Sequence, residues 1–481
     1  LKKYKKICSY SKRIQNNNKK LSSFCNSYLH IIRAHPFILK KYKNIFFFKY
    51  FIFYIFLFFK NIFEIVIKFL IQFLYKEILN THKKNYKILV LGHITNFKAF
   101  SKNIDFQYGN FFKNKNNDIL YFYINSSKTK KDKIKSLNKL KKINKNYYIF
   151  NYKLGLFNFV KYFIYLFSEF LIAIFKIFKF NSFDKYYRRF IYNSALNLIS
   201  HSTFQNLIFY HKFNLFVKKY SIQKIVTTFE GHPFEKLIFK IGYENSIPVD
   251  AYQHSFISDT HHSIYVYSNQ KYLPTRILTS GKITYNIFKK YFSKKLDVKL
   301  IGSTKAKYYK KNKKKYNSFR CLVVPEGFYE ETEILINFCL EYVKKYQNVE
   351  FIVRLHPEVI KDKLLKRNPK YKFKNKKIKI SQSKITNDVK ISNLLLYRGS
   401  TFAADALAYG LKPFYLKRDN EIEIDSLWMF KDKFKEKIKN IEQFNKKVMN
   451  IKYKEISYAQ QKKTILFSKN FYGMFNNKIK I

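Results

Sequence analysis

Residues 393–416, "NLLLYRGSTFAADALAYGLKPFYL", decide the fold class of this 481-residue chain. The segment begins with a short apolar run, Leu394 to Tyr397, which is typical of a buried strand and ends in the loop Arg398-Gly399-Ser400-Thr401. A helix of small apolar residues begins at about Thr401, and Gly410 and Pro413 end it before a second strand, "FYL". Strand, loop, helix and strand in this order are the repeating unit of a parallel α/β sheet.

The same unit recurs in two series along the chain. The first series starts at residue 86 and contains "YKILVLG", "DILYFYI", "NYYIFNY", "IQKIVTTFEG", "IPVDAYQH" and "TRILTSG". The second starts at residue 296 and contains "VKLIG", "RCLVVPEG", "EFIVRLHP", "KIKIS", "NLLLYRGS" and "KPFYLK". Two such series predict two Rossmann-like α/β domains that face each other across a cleft. We expect them at residues 86–295, with a helical insertion at about 155–220, and at 296–445.

The remaining segments are expected to be helical. Residues 446–481 are predicted to form a helical tail, and residues 1–85 a basic, apolar helical segment. Residues 45–79 and 156–180 are strongly apolar and aromatic, but the longest uncharged run in the first, Tyr50 to Phe59, is half the length of a membrane-spanning helix. Two interpretations remain open: core helices, or helices that lie in a membrane interface while their lysines reach anionic headgroups.

Composition narrows the class of protein. The net charge of +63 predicts a surface that meets anions, although an A/T-rich coding bias toward Lys contributes to it. No zinc-finger spacing, RNP motif or heptad-linked basic region is present, so we expect no nucleic-acid partner. The absence of GxGxxG and GxxxxGK[ST] counts against nicotinamide dehydrogenases and P-loop ATPases. The four cysteines have no metal-ligand spacing, so we expect free thiols and no metal site.

Several polar residues follow strands of the second series, where open α/β sheets bind ligands. Arg354 and His356 lie two residues apart at a strand end, and Pro357 stops the strand, so both side chains are expected on one face. A fixed cation beside an imidazole suits a phosphate leaving group, whereas the alternative is a histidine that caps the next helix. Ser400 and Thr401 predict an anion site at a helix start, or a plain N-cap. The other residues predicted at this edge are Gly302, Ser303, Glu326, Gly327, Arg398, Gly399 and Asp405.

Four of these motifs together resemble a known family. The set "IGSTK", "VVPEG", "VRLHPE" and "YRGSTFAADALAYGLKP" is similar to the nucleotide-binding domain of GT-B glycosyltransferases of bacterial surface polysaccharide synthesis, both capsule and lipopolysaccharide. It resembles the Kdo and sialic-acid transferases and the polyol-phosphate transferases. The resemblance covers about residues 222–416 and implies that the His-Pro and Ser/Thr motifs hold the phosphates of a CMP- or CDP-linked donor. Asp405 departs from it, because glutamate is more usual at that position.

The first series supplies candidates for the acceptor side. Glu230 follows an apolar strand and precedes Gly231, so its carboxylate is predicted to enter the cleft and to deprotonate an acceptor hydroxyl. Bacterial sialyltransferases have an acid-acid-Gly motif here, and Phe229 replaces the first acid. His254 or His93 is expected to position the acceptor, with Gly92 and Gly231 on the same side, and the alternative for each histidine is a satisfied structural group. The alternative for Glu230 is a structural loop acid. The neighbouring His232-Pro233 and Glu235 are interpreted as a helix start, and so is the separate His35-Pro36 pair.

The sequence therefore predicts a metal-independent, inverting glycosyltransferase. It would use a nucleotide-sugar donor, with a CMP-sugar favoured, and a glycan or lipid-linked acceptor. No cleavable signal peptide is visible in the first 25 residues, so we expect a cytoplasmic protein at the inner face of the membrane. Two alternatives remain: a CDP-polyol phosphotransferase on the same fold, and a basic membrane-associated protein without enzymatic activity.

Overall fold

The computed structural model describes the larger part of the chain. It covers residues 47–72, 78–80, 85–94, 118–125, 146–178, 194–255, 269–292, 296–303, 319–373, 376–419, 421–451 and 458–474, with residues 9, 24–25, 29, 107–108, 111–112, 257 and 262–265. The His35-Pro36 pair lies outside these residues, as does most of the segment 1–46.

Eight strands form the first sheet, in the order β1-β4-β3-β2-β5-β6-β7-β8. All neighbours are parallel except β1, which pairs antiparallel with β4 at the edge. The strands are β1 (Ile78–Asn80), β2 (Ile88–Ile94), β3 (Ile119–Asn125), β4 (Tyr147–Phe150), β5 (Lys224–Thr228), β6 (Val249–Gln253), β7 (Arg276–Thr279) and β8 (Asp297–Leu300).

Six parallel strands form the second sheet, in the order β11-β10-β9-β12-β13-β14. They are β9 (Phe319–Val324), β10 (Val349–Val353), β11 (Ile378–Ile380), β12 (Leu394–Tyr397), β13 (Lys412–Leu416) and β14 (Glu436–Ile438). Counted within each sheet, the parallel strands follow the 3-2-1-4-5-6 order of the Rossmann fold, which the first sheet extends by one strand. The predicted fold class, two Rossmann-like α/β units, is confirmed.

Helices connect the strands and, among the described residues, cover both faces of the second sheet and one face of the first. They are α1 (Phe47–Gln72), α2 (Leu156–Phe178), α3 (His201–Lys219), α4 (Pro233–Glu244), α5 (His262–Tyr265), α6 (Lys282–Phe292), α7 (Tyr329–Lys345), α8 (Lys361–Arg367), α9 (Ile385–Ile391), α10 (Phe402–Ala408), α11 (Ile441–Met449) and α12 (Tyr458–Phe471). Short 3-10 turns occur at Gln270–Tyr272 and Pro369–Tyr371.

The central strands of the two sheets are mostly apolar because both of their faces are buried. In β2, Leu89 and Leu91 point into one core cluster, and Val90 points into the cluster on the opposite face. Cys321 and Leu322 divide in the same way between the two faces of the second sheet. This alternation explains why the central strands carry apolar residues at successive positions.

The strand β8 corrects a predicted domain boundary. From its place in the sequence "VKLIG" is expected to begin the second series, with the boundary between residues 295 and 296. In the structure β8 pairs with β7 as the last strand of the first sheet. An edge strand with one buried residue in four carries no signal that assigns it to either sheet, so its position in the chain was misleading.

The last described segment returns to the first sheet. The backbone N–H of Ser303 donates to the carbonyl of Gly473 at 2.8 Å. The N–H of Gly473 donates to the carbonyl of Ser280, also at 2.8 Å. Gly302 has φ +82°, and a Cβ there would collide with the carbonyl of Met474. The segment after α12 therefore closes the carboxyl ends of β7 and β8.

Candidate active site

A first polar cluster lies where the strand order of the first sheet reverses. In open α/β sheets this switch point, between β2 and β5, is where ligands bind. Glu230 follows β5, and His93 is the penultimate residue of β2. The strand β2 was expected to end at Gly92. It continues through Ile94, so Gly92 and His93 lie within it.

A buried carboxylate shapes the loop after β5. Glu235, in the first turn of α4, accepts backbone hydrogen bonds from Glu230, Gly231 and His232 at distances between 2.7 and 3.1 Å. It also accepts a hydrogen bond from the hydroxyl of Thr228. These hydrogen bonds from three backbone N–H groups hold the loop in one conformation and cap the N-terminus of α4. The interpretation of Glu235 as a first-turn acid is therefore confirmed, and the residue is also the support of the candidate site.

Glu230 lies between two imidazoles. Its Oε2 is 3.3 Å from Nε2 of His232, and its Oε1 is 3.3 Å from Nε2 of His254. His93 completes the group, with its ring centroid 6.2 Å from that of His232 and 4.5 Å from that of Phe234. The structure therefore brings together the predicted acceptor-side residues and adds His232.

These neighbours fix the protonation states of the first cluster. Burial opposes the ionisation of Glu230, but the charge of His254 and the hydrogen bond from His232 outweigh it and hold the pKa of Glu230 well below its usual range. For His232, burial is likewise outweighed by Glu230 and Glu235, which raise the pKa to about 9. Burial, with the charge of His232, lowers the pKa of His93 to about 4. At neutral pH the cluster thus holds an ionised carboxylate, an imidazolium at His232 and a neutral His93.

A second cluster lies at the switch point of the second sheet, between β9 and β12. Glu326 and Gly327 follow β9, His356 follows β10, and Gly399 follows β12. A Cβ on Gly327 would lie 3.0 Å from Nδ1 of His356, and a Cβ on Gly399 would collide with the carboxylate of Glu326. Gly399 also has φ +65°, a conformation that other residues rarely adopt. Four predicted residues from three loops therefore meet at one edge.

The hydroxyl residues after Gly399 border this second cluster. Ser400 is buried, and Thr401 is exposed at the N-cap of α10, where its side chain makes no capping hydrogen bond. The alternative of a plain threonine N-cap is therefore not what the structure shows. Asp405 lies one turn further along α10 and is half-buried, and Pro357 is exposed in the turn after His356.

Arg398 corrects the prediction of a phosphate-binding arginine. Its guanidinium is 1% exposed and forms ion pairs with Glu331 at 2.7 Å and Glu421 at 2.9 Å. It also donates to the carbonyl of Leu416 at 2.9 Å. Two carboxylates and a carbonyl surround this cation, so it stabilises the buried region beneath the loops and does not extend into the cleft.

Arg354 is also paired with an acid, in this case Asp388 on α9. One of its guanidinium nitrogens donates to Asp388 at 2.7 Å and to the carbonyl of Ser383 at 2.8 Å. Ser381 donates to the same carboxylate at 2.6 Å. The period-two argument placed Arg354 beside His356, but the strand β10 ends at Val353, so the alternation does not extend through both residues.

Gly302 and Ser303 were predicted to belong to the donor site, and this is wrong. Both follow β8 of the first sheet and are buried against Gly473 and Met474. The hydroxyl of Tyr252 donates to the carbonyl of Gly302 at 3.2 Å. The positive φ of Gly302 thus serves a close approach of two backbone segments and leaves no room there for a phosphate.

A contact between the two halves brings the clusters to one interface. The indole Nε1 of Trp428 donates to the carbonyl of Ile257 at 3.4 Å. Ile257 is three residues beyond His254, a span of at most about 11 Å. On the other side, Ser426 donates its hydroxyl to the carbonyl of Ser400 at 2.6 Å. The loop of the first cluster therefore touches the segment that holds the loop of the second.

Sequence reasoning missed His232 as a site residue. It lies two residues beyond Glu230 across Gly231, and the turn at that glycine, with φ +83°, returns the imidazole to the carboxylate. The sequence acid-Gly-His indicates that a turn at the glycine can bring the two side chains together. The proline that follows His232 also indicates a helix start, and only the helix start was predicted. Among the residues that the structure describes, no group of three or more His, Cys, Asp or Glu is arranged to hold a metal ion.

Comparisons with known proteins give the following result. No family model and no curated protein matches the chain. Solved structures that resemble it include the UDP-GlcNAc 2-epimerase of Methanocaldococcus jannaschii in complex with UDP-GlcNAc and UDP, at 13% identity and a TM-score of 0.44, with 79% of this chain and 98% of that chain covered.

Two further solved structures are comparably distant. MurG of Acinetobacter baumannii is 9% identical, with a TM-score of 0.41 and 80% and 94% of the two chains covered. The spinosyn rhamnosyltransferase SpnG complexed with thymidine diphosphate is 7% identical, with a TM-score of 0.42 and 80% and 96% covered. Matches at these scores add nothing to the fold class, which rests on the strand order.

Proposed function

We propose that this protein is a glycosyltransferase that moves a sugar from a nucleotide-activated donor to a hydroxyl of a glycan or lipid-linked acceptor. One observation carries the proposal: polar clusters occupy the switch points of two Rossmann-like sheets, and the contact between Ile257 and Trp428 joins their loops. A reaction between two substrates needs two sites that share one cleft, and this arrangement supplies them.

The second cluster suits the donor. His356 lies half-buried at the end of β10, where its imidazole can protonate a departing phosphate. The exposed hydroxyl of Thr401 can donate to the same phosphate. The carboxylate of Glu326 accepts hydrogen bonds and so fits the hydroxyls of a ribose better than a phosphate, and Asp405 offers a second such acceptor. A CMP-sugar is the favoured donor, because the motif set resembles CMP- and CDP-dependent transferases.

The first cluster suits the acceptor. The pair of Glu230 and His232 takes up the proton of the attacking hydroxyl, while His254 and His93 hold the acceptor in place. Glu230 is ionised at neutral pH and therefore present in its basic form, although its two imidazole partners weaken it as a proton acceptor. Since carboxylate and imidazole titrate together, the pair acts as one unit.

The proposed reaction is a direct displacement. The acceptor oxygen forms a bond to the anomeric carbon as the bond from that carbon to the phosphate oxygen breaks. The acceptor proton passes to the Glu230–His232 pair, and the nucleotide leaves with its phosphate protonated by His356. We propose inversion at the anomeric carbon and no requirement for a metal ion, so activity should persist in EDTA.

Thermal unfolding with a panel of nucleotides tests the donor class. Full-length protein is heated with CMP, CDP, UDP, GDP and dTDP compounds, and a ligand that binds the folded state raises the melting temperature. We expect the largest rise with a cytidine nucleotide and its reduction in Thr401→Val. No rise with any nucleotide, at concentrations that stabilise a known transferase in parallel, would refute the proposal.

Product analysis separates the remaining alternative. A polyol-phosphate transferase would transfer glycerol phosphate from CDP-glycerol to the acceptor, whereas a glycosyltransferase would transfer only the sugar of a CMP-sugar. Both reactions release CMP, so the phosphate gained by the acceptor separates them. His356→Ala should abolish either reaction. Undiminished transfer by this variant would show that His356 takes no part in the reaction. The absence of transfer by the wild type from either donor would favour the non-enzymatic membrane protein.

A further inference from the structure

The helices α1 and α2 form an antiparallel pair on the outside of the first unit. The ring centroids of Phe58 and Phe170 lie 5.5 Å apart, and those of Phe69 and Phe159 lie 3.9 Å apart. The pair rests on the rest of the protein through α3, where Phe159 contacts Phe204 with centroids 5.4 Å apart. Each helix therefore has one face that is already occupied.

The opposite face of each helix is apolar and exposed. In α1 the exposed residues recur at spacings of three and four, which places them on one stripe. In α2 the stripe is interrupted by Ser168, whose hydroxyl donates to the carbonyl of Ile164 at 2.9 Å and so needs no water. The two stripes consist of Phe56, Phe59, Phe63, Val66 and Leu70 in α1, and of Phe157, Val160, Ile164, Leu171 and Phe175 in α2.

The exposed surface is larger than soluble monomers ordinarily carry. The five phenylalanines of the stripes are between 61% and 80% exposed. At about 150–250 Å² for each aromatic side chain, they alone expose on the order of 700 Å². The largest apolar patch of a typical monomer is about 300–600 Å², and it is often functional. The interpretation of both segments as core helices is therefore wrong for their outer faces.

The charge beside the stripes identifies the occupant. Lys60 of α1 and Lys161 of α2 are exposed at the border of the apolar stripes. Lysine stems lie along apolar surface while the ammonium groups reach outward, which is the pattern of helices at an anionic bilayer surface. The net charge of the chain, +63, favours the same surface. A protein partner would not need this combination of a long apolar stripe and a basic border.

The geometry favours helices that lie in the membrane interface over a helix that crosses it. By length and composition, one helix among the described residues could span a membrane, Leu156–Phe175, and only 6% of that segment is buried. However, Leu166 and Phe170 on its inner face are buried against the neighbouring helices. A spanning orientation would separate α2 from α1 and α3, whereas an interfacial one keeps these contacts.

We propose that the outer faces of α1 and α2 dock the protein in the headgroup region of an anionic membrane leaflet. The apolar stripes enter the acyl boundary, and Lys60 and Lys161 contact lipid phosphates. This inference does not depend on the proposed enzymatic activity, because it rests on the exposed helix pair alone.

Co-sedimentation with vesicles tests the docking surface. Full-length protein is mixed with vesicles of phosphatidylcholine alone and of phosphatidylcholine with phosphatidylglycerol. The stripe variant carries Phe59→Ser, Phe63→Ser, Phe157→Ser and Phe175→Ser, which leave the net charge unchanged. We expect the wild type to bind the anionic vesicles and the stripe variant to bind at least tenfold more weakly.

A matched control variant replaces four exposed apolar residues elsewhere: Leu215→Ser, Tyr243→Ser, Tyr291→Ser and Leu466→Ser. It should bind as the wild type does. Lys60→Gln with Lys161→Gln should weaken binding to the anionic vesicles several-fold and leave the weak binding to neutral vesicles unchanged. An alkaline wash should release the bound wild-type protein, as expected for a protein that does not span the bilayer.

Three results would overturn the proposal. The first is a stripe variant that binds anionic vesicles as tightly as the wild type, since attraction would then come from charge alone. The second is a wild-type protein that binds no vesicles. The third is a stable dimer of the wild type in lipid-free buffer that the stripe substitutions dissociate, as measured by light scattering, because the stripes would then contact a second copy.

Discussion

The two switch points use the same dipeptides in different ways. In the first sheet Glu-Gly and His-Pro are consecutive, residues 230–233 in the loop after β5, and the carboxylate contacts the imidazole at 3.3 Å. In the second sheet Glu326-Gly327 and His356-Pro357 come from separate loops, and each polar side chain lies against a glycine instead. In the first arrangement the acid and the imidazole contact each other, whereas in the second each of them lies against the backbone of another loop.

This difference follows from how each loop is supported. The first loop is held by the carboxylate of Glu235, which accepts hydrogen bonds from three backbone N–H groups of the loop. The second cluster has its support in the buried Arg398, paired with Glu331 and Glu421. A carboxylate supports one cluster and a cation the other. The two clusters therefore rest on different kinds of side chain in the same fold.

The largest effect is expected for Glu230→Gln. The amide keeps the size of the side chain but cannot take up a proton, so transfer should fall by about a thousandfold, within the range of 10²–10⁴ usual for acid–base groups. Initial rates with the donor found by thermal unfolding measure it. Glu341→Gln, an exposed acid on α7, is the control and should retain full activity. A fall of less than tenfold would show that the first cluster is structural.

The next effect concerns stability. Arg398→Ala leaves the carboxylate of Glu331 buried without its cation, and breaking a buried pair costs about 3–5 kcal/mol. Arg354→Ala should cost less, about 1 kcal/mol, because its side chain is partly exposed and Ser381 still donates to Asp388. Urea unfolding measures both. If Arg354→Ala kept its stability and lost the shift induced by the donor, the arginine would bind phosphate after all.

A smaller effect is expected for Gly399→Ala. A Cβ in the left-handed region is strained, and it would displace the carboxylate of Glu326, so we expect a loss of about 1–3 kcal/mol together with weaker donor binding. Thermal unfolding with and without nucleotide separates the two losses. Gly155→Ala is the matched control, since a Cβ there meets nothing within 4 Å. Unchanged donor binding in Gly399→Ala would remove this loop from the site.

The smallest effect is a change of pKa. Glu230→Gln removes the partner that helps to raise the pKa of His232 to about 9, so we expect this pKa to fall toward 6.5 or below. NMR titration of ring-labelled histidine measures it, and His211 on α3 serves as the internal reference. A raised folded-state pKa gives stability that is present below about pH 6.5 and is lost as the pH rises through about 9. The wild type should therefore lose more stability over this interval than the variant does.

The class of the fold was readable from the sequence because parallel strands buried on both faces leave an unmistakable pattern. The meeting of Glu326, His356 and Gly399 also followed from their positions at strand ends. The partners of Arg354 and Arg398 could not be predicted in this way. The sequence around an arginine after a strand does not distinguish one that binds a ligand from one that pairs with a buried acid. Asp388, Glu331 and Glu421 come from distant parts of the chain, and only the fold brings them near.

The backbone contact between Ser303 and Gly473 has a consequence for synthesis. The first sheet is finished in sequence by residue 300, yet the carboxyl ends of β7 and β8 obtain their cover only when residues 470–474 have left the ribosome. About 170 residues of delay correspond to roughly 10–30 s of translation. During that interval the backbone at Gly281 and Gly302 is open to water or to a chaperone, and the first half stays incomplete until the last helix arrives.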